Sequence, residues 1–236
     1  MSKLKWDAIG EHLFETGVNQ CALYLLDPQT NTYPEGVAWN GVTAITEKPS
    51  GADANALYAD NKKYLNLIAT EEFGATIEAY TYPDEWMECD GQSDVLTGGG
   101  MAIGQQKRSI FGLAFKTLIG NDTNGTDHGY KIHLIYGATA SVAERGYETV
   151  NDSPDAITFS WDIETVPVEV GFGDFKPTSS IIIDSTKFTT TTLQGNLKDL
   201  EDKLFGTDGT GSGTGTTPYL PLPAEVYTTL VGATNG

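Results

Sequence analysis

Apolar and polar positions alternate most cleanly over residues 155–164, where Ile157, Phe159, Trp161 and Ile163 share one face and Thr158, Ser160, Asp162 and Glu164 the other. A period of two predicts a strand covered on one side. The same period places Phe73, Ala75, Ile77 and Ala79 opposite Thr76, Glu78, Tyr80 and Tyr82. It also aligns Phe111, Leu113 and Phe115, and sets Tyr130, Ile132, Leu134 and Tyr136 against Lys131, His133 and Ile135, with His133 expected on a wet face. The runs QCALYLL (20–26) and SIIID (180–184) read as buried strands, and KFTTTT (187–192) suits a strand by its β-branched residues. Asn40-Gly41 within VAWNGVTAI is the strongest two-residue hairpin signal. Helical spacing is clear once: Leu193, Leu197, Leu200 and Leu204 form a stripe over 193–205, with Thr192 able to cap it, Gly206 able to end it and Asp199–Lys203 as a favourable pair. A short helix at 84–89 follows Tyr82-Pro83, where proline stops the preceding strand and can open a helix.

Between these elements the chain loses its period. Residues 1–18 mix charge, glycine and scattered Leu4, Trp6 and Phe14, which reads as an N-terminal arm with a helical turn near 7–14. Residues 47–63 are polar and turn-rich, punctuated by Leu57 and Tyr58, and predict a long excursion from the sheet. The stretch GTDGTGSGTGTT (206–217) is a flexible linker by composition, and the prolines of PYLPLPAEVYTTLVG hold the C-terminal segment extended. The expected division is an arm at 1–18, a β-sandwich domain at 19–205 and a linker with an extended tail at 206–236. The expected fold is mainly β: two packed antiparallel sheets forming a sandwich or flattened barrel, with one short and one longer α-helix, an extended loop and terminal arms.

Charge narrows the chemistry. Acidic residues number 32 against 14 basic, a formal charge of −18, so affinity for nucleic acid through counterion release is not available. No apolar run spans a bilayer, and the first residues carry no secretory pattern, which predicts a soluble protein made in a cytoplasm. Cys21 and Cys89 lack the spacing of a zinc site and read as small buried hydrophobes. GGGMAIGQQKRS, with its basic pair Lys107-Arg108, does not fit a phosphate loop. In GNDTNGTDHG, residues Asp122, Asn124, Asp127 and His128 cluster without the order of a calcium loop, so a hairpin connection is expected there. The carboxylate pairs Glu71–Glu72, Asp84–Glu85 and Glu88–Asp90 carry no sign of the separated environments that acid–base catalysis needs. No catalytic, cofactor-binding or metal residue is assigned, and the chain is not expected to be an enzyme.

The segment EFGATIEAYTYPDEWMECDG (72–91) resembles the central signature of major tail proteins from long-tailed phages with non-contractile tails. ALYADNKKYLNL (56–67), ITFSWDIETVPVEV (157–170), LKDLEDKLFGTDG (197–209) and PLPAEV (221–226) resemble further parts of the family in the same order. This resemblance implies a structural virion protein: six copies form a ring, and rings stack into a hollow tail tube that conducts DNA during ejection. Partners so implied are the chain itself, the tape measure protein and the tail completion and distal tail proteins. DNA would pass through the lumen without specific binding, no cofactor or membrane would be involved, and the long loop would pack on the neighbouring subunit and the next ring. A different expectation from the same residues is a carbohydrate- or surface-binding sandwich of a phage or bacterial adhesin, with exposed Tyr and Trp stacking on sugars.

Overall fold

The structure is a computed structural model and describes residues 4, 6–96, 99–141, 145–147, 149, 155–209 and 214–232. The chain runs through β1 (Phe14–Leu25), β2 (Gly36–Ala38) and β3 (Val42–Glu47) into a projecting unit of β4 (Ser50–Gly51), β5 (Ala54–Ala59), β6 (Lys62–Ile68) and β7 (Glu71–Glu72). It returns through β8 (Gly74–Ala79), α1 (Trp86–Cys89) and the small ladder of β9 (Ser93–Asp94) with β10 (Ala102–Ile103). Next come β11 (Phe111–Asn121), β12 (Gly125–Ala140), β13 (Phe159–Thr165), β14 (Ser180–Asp184), α2 (Thr191–Phe205) and α3 (Pro223–Val231). The main sheet is antiparallel in the order β2-β1-β11-β12-β13-β8-β3, with β14 added to β12. The expected mainly β, sandwich-like architecture is what the chain adopts.

The long strand β12 serves two partners, and this bends the sheet. Its Lys131–Ile135 half pairs with β14, and its Ala138–Ala140 end pairs with β13. Gly137 sits between them at φ +61°, and a β-carbon there would lie 2.2 Å from the Val166 carbonyl oxygen, so only glycine fits the bend. Because side chains alternate, the two faces of β11 and β12 feed separate cores. Leu113, Phe115, Ile135 and Ala138 point into the fold with Leu23, Ile77, Trp161 and Ile163. Ala114, Ile132, Leu134 and Tyr136 point the other way and are covered by Leu197, Leu200 and Leu204 of α2, together with Leu220 and Val226.

The inner core is built on tryptophan. Trp39 lies 4.4 Å from Trp86 and Trp86 5.2 Å from Trp161, ring centre to ring centre, with Phe111 edge-on to Trp86. Tilted and edge-to-face contacts of this kind add to the area buried. The single turn of α1 therefore places Trp86 and Cys89 inside while Glu88 stays outside.

Several expectations change in the folded chain. Strand β1 begins at Phe14 rather than at residue 20, pairing Phe14 with Gly120, so the arm is shorter than 1–18 and its 7–14 stretch makes a turn at Ile9-Gly10 instead of a helix. Asn40-Gly41 does turn the chain, but β2 and β3 pair with β1 and β8 respectively and not with each other. Burial of Trp39 explains this, since the turn must deliver that ring to the core. Residues 187–192 are not a strand: a short 3-10 turn Ser185–Lys187 leads into α2, capped by Thr190, whose hydroxyl accepts from Leu193 N at 3.3 Å. Lys203 pairs with Glu225 at 2.8 Å instead of Asp199. Ile157 is exposed and His133 is buried, each the reverse of its expected side.

The tail is docked on its own subunit. Leu220 bridges Tyr33, Gly36 N donates to the Pro218 carbonyl at 2.8 Å, and Tyr136 Oη donates to the Pro221 carbonyl at 2.9 Å. Pro223 starts α3 rather than prolonging an extended tail, because proline suits the first helical position, whose amide has no partner anyway. Of the linker, residues 210–213 lie outside the described residues, and its two ends meet at Thr207 and Thr216.

Candidate functional site

The acids that sequence pairs together are not set across a cleft. Glu71 and Glu72 lie on the stem of the projecting unit, and Asp84, Glu85 and Glu88 are exposed around α1. Asp90 is the buried one, and it is neutralised: Arg145 binds Oδ2, Arg108 Nη1 lies 3.8 Å from Oδ1, and Gln92 donates to Oδ2 at 3.0 Å. The same Arg108 guanidinium donates to the carbonyls of Ala140 at 2.9 Å and Cys89 at 3.3 Å, so the basic pair at 107–108 is half structural. Gly98 of the preceding glycine run lies outside the described residues.

Asp122 of the β11–β12 connection holds the N-terminal arm. Its carboxylate accepts from Gly10 N at 2.9 and 3.1 Å and lies 3.2 Å from His12 Nδ1. The Gly10 amide keeps its carboxyl below the usual aspartate range, with His12 adding to the effect. Asn121 Oδ1 accepts from Thr123 and Asn124 N, so this loop is self-bonded, and no group of three metal-ligating side chains occurs among the described residues. Both thiols are buried and free; burial pushes Cys21 up to about 12 and also raises Cys89, which removes thiolate reactivity at neutral pH.

What the surface offers instead is unpaired edge and exposed apolar side chain. Among the described residues, strands β5 and β6 form a two-stranded hairpin that pairs only with itself. Asp60 and Asn61 both have positive φ, 51° and 61°, the backbone of a two-residue hairpin turn. Leu57 directly opposes Leu65, and the two-residue repeat puts Asn55 and Leu67 on that same face. Tyr58, Tyr64 and Ile68 are more exposed still. At its base Lys48 N donates to the Gly74 carbonyl, and Ser50–Gly51 pairs with Glu71–Glu72, so the hairpin stands on a short ladder. Leu4, Trp6, Ile9 and Leu13 of the arm are likewise exposed. In the main sheet, among the described residues, β2 covers β1 only at Ala22–Tyr24 and β3 pairs on one side only, and β1 and β3 come close without a ladder between them. Elsewhere Phe172 stacks on Tyr227 at 4.2 Å with Phe175 edge-on, beside α3.

The excursion at 47–63 is visible in the sequence, but its form is not. The Asp60-Asn61 pair flanked by β-forming residues was the available signal, obscured because neither strand has a core face to impose a period. The partners of Asp122 and His133 gave no signal, since they lie more than a hundred residues away or on other strands.

No protein-family model matches the chain, and no curated protein matches it. Among solved structures it is similar to a chain of the cryo-EM structure of the anti-feeding prophage (AFP) baseplate, 6-fold symmetrised, with a TM-score of 0.35 and 8% identity over 76% of this chain and 97% of that one. Similarity at that level fixes neither family nor function.

Proposed function

We propose that this chain is a phage structural protein and, more specifically, the tail tube subunit of a long-tailed phage, assembling as stacked six-membered rings around a DNA-conducting bore in the virion. The observation that carries the reading is the self-paired β5–β6 hairpin. Its exposed Leu57, Leu65 and Leu67 face has no counterpart in the subunit's own cores. Exposed apolar faces and bare strand edges are hazards in a monomer and assets in a polymer. The motifs at 56–67 and 72–91 that resemble tail tube proteins fall on this hairpin and on the β8–α1 unit beside its base. A net charge of −18 suits a wall along which DNA slides without adhering. Lysine in place of acids lining the bore is expected to slow DNA release in ejection assays, and unchanged release kinetics would remove the electrostatic part of the reading. Sedimentation velocity across a concentration series tests assembly itself. Growth into large polymers supports the proposal, whereas one small species at every concentration counts against it.

A second reading, a carbohydrate-binding module, is favoured by the exposed stack of Phe172 on Tyr227. Glycan screening of the wild type against Tyr227→Ala separates it, since sugar stacking requires that ring.

A further inference from the structure

His133 lies at the seam of the sheet, and nothing in the tube reading assigns it a role. Among the described residues, strand β1 has no ladder partner on its outer side before Ala22, and β3 has none on the side away from β8. One imidazole reaches both strands: His133 Nε2 is 3.5 Å from Glu15 Oε1 of β1, and Nδ1 is 3.9 Å from Glu47 Oε1, the last residue of β3 before the projecting unit. The ring is held flat on Phe115 of β11, 4.6 Å between centres and 2° between planes, and is only 8% exposed.

The neighbouring hydrogen bonds settle where its proton sits. Thr117 Oγ1 donates to Glu15 Oε1 at 2.6 Å, so the hydroxyl can only accept from the ring nitrogen 3.0 Å away. Nε2 therefore carries the hydrogen, and Nδ1 is bare, buried and without a partner while it faces the Glu47 carboxylate. A lone pair facing an anion makes no bond; a protonated Nδ1 at 3.9 Å makes an ion pair, which a shift of about 1 Å closes to a hydrogen bond. Lys131 on the same strand is committed to Glu15, and its backbone partner Asp184 comes from β14. Thus the charged groups facing the ring are Glu15 from β1, Glu47 from β3 and Lys131 from β12, while β11 offers Phe115 and Thr117 and β14 pairs Ile182 beside it.

We propose that His133 is a proton-operated clasp across this seam: uptake of one proton at Nδ1 ties the base of the hairpin at Glu47 to the central strand β12, and its loss releases that tie. Burial lowers the tendency of His133 to charge, while Glu15 and Glu47 raise it, and burial prevails. Since the folded chain holds this proton more weakly than the unfolded chain, global stability is full above the ordinary histidine range near 6.5 and falls as pH drops through and below it. The device therefore has an unusual signature, local tightening of the seam alongside easier global unfolding.

Nuclear magnetic resonance of the ring nitrogens, together with amide exchange at residues 14–18 and 45–48 corrected for intrinsic rates, tests it on the full chain between about pH 7.5 and 5. Nδ1 is expected to take up the proton below the ordinary range, and seam exchange to slow about tenfold with it, the gain of one bond between charged groups. His133→Phe, which keeps the stack, and Glu47→Ala, on an exposed strand end and without an acceptor, are both expected to abolish the slowing. Equal slowing in Glu47→Ala, titration of Nδ1 with no slowing, or an Nδ1 that stays bare to pH 5 overturns the proposal. If His133→Phe fails to fold, Glu47→Ala decides the matter alone.

Discussion

Replacing Leu57, Leu65 and Leu67 together by serine separates folding from assembly. These residues are 40%, 38% and 54% exposed, so a substantial part of each remains available for burial by another subunit. A fully buried leucine contributes roughly 1.5–3 kcal/mol, which scales to about 1 kcal/mol per residue here and about 3 kcal/mol for the face. Each hairpin contact should therefore weaken by a factor on the order of 100. The subunit should hardly notice, because neither core contains a hairpin residue. Inside the monomer the substitutions remove the Leu57–Leu65 and Asn55–Leu67 cross-strand contacts, at a cost of roughly 0.2–1 kcal/mol each. Thermal unfolding by circular dichroism reports the first quantity, and the concentration at which polymers appear in sedimentation reports the second. A variant that melts normally yet polymerises at the wild-type concentration would refute the role of this face, and one that fails to fold would refute its independence from the core.

Other consequences are equally direct. Leu200→Ala should cost roughly 2–5 kcal/mol in urea unfolding, since Leu200 is fully buried between α2 and the sheet. Leu193→Ala, at the first turn of the same leucine stripe and half-buried, should cost clearly less, and equal costs would mean the helix is docked differently. Deleting residues 206–236 should destabilise the monomer rather than trim an appendage, because Leu220 and Val226 close the outer core; a normal melting temperature would contradict that docking. Asp122→Ala should leave the melting temperature unchanged while speeding exchange of the Gly10 amide, and wild-type arm release is expected only as pH falls through the lowered range of this carboxyl, below the ordinary aspartate value of 3.8.

Much of the sheet was legible because burial on one side imposes a period. Ala75, Ile77 and Ala79, Phe111, Leu113 and Phe115, and Trp161 with Ile163 all face the core as their spacing predicts. The first half of β1 was not legible, since register shifts between Thr16, Asn19 and Ala22, with positive φ at Gly17 and Gln20, break its alternation. The hairpin had no core to impose a pattern. The tail misled because Pro218, Pro221 and Pro223 look alike in sequence, while Pro223 alone sits where a helix begins. A wet position for His133 would require β12 to be covered on one side only, whereas the bent sheet buries both. Of the candidate assembly surface, position along the chain was readable and geometry was not, since a bare edge exists only once the other strands have found their partners.

Negative-stain electron microscopy of the purified chain over a concentration series tests the central claim most directly. Hollow tubes or six-fold rings are the predicted result, lost in the triple leucine variant. A uniform monomer at every concentration, with the hairpin intact, would contradict the account.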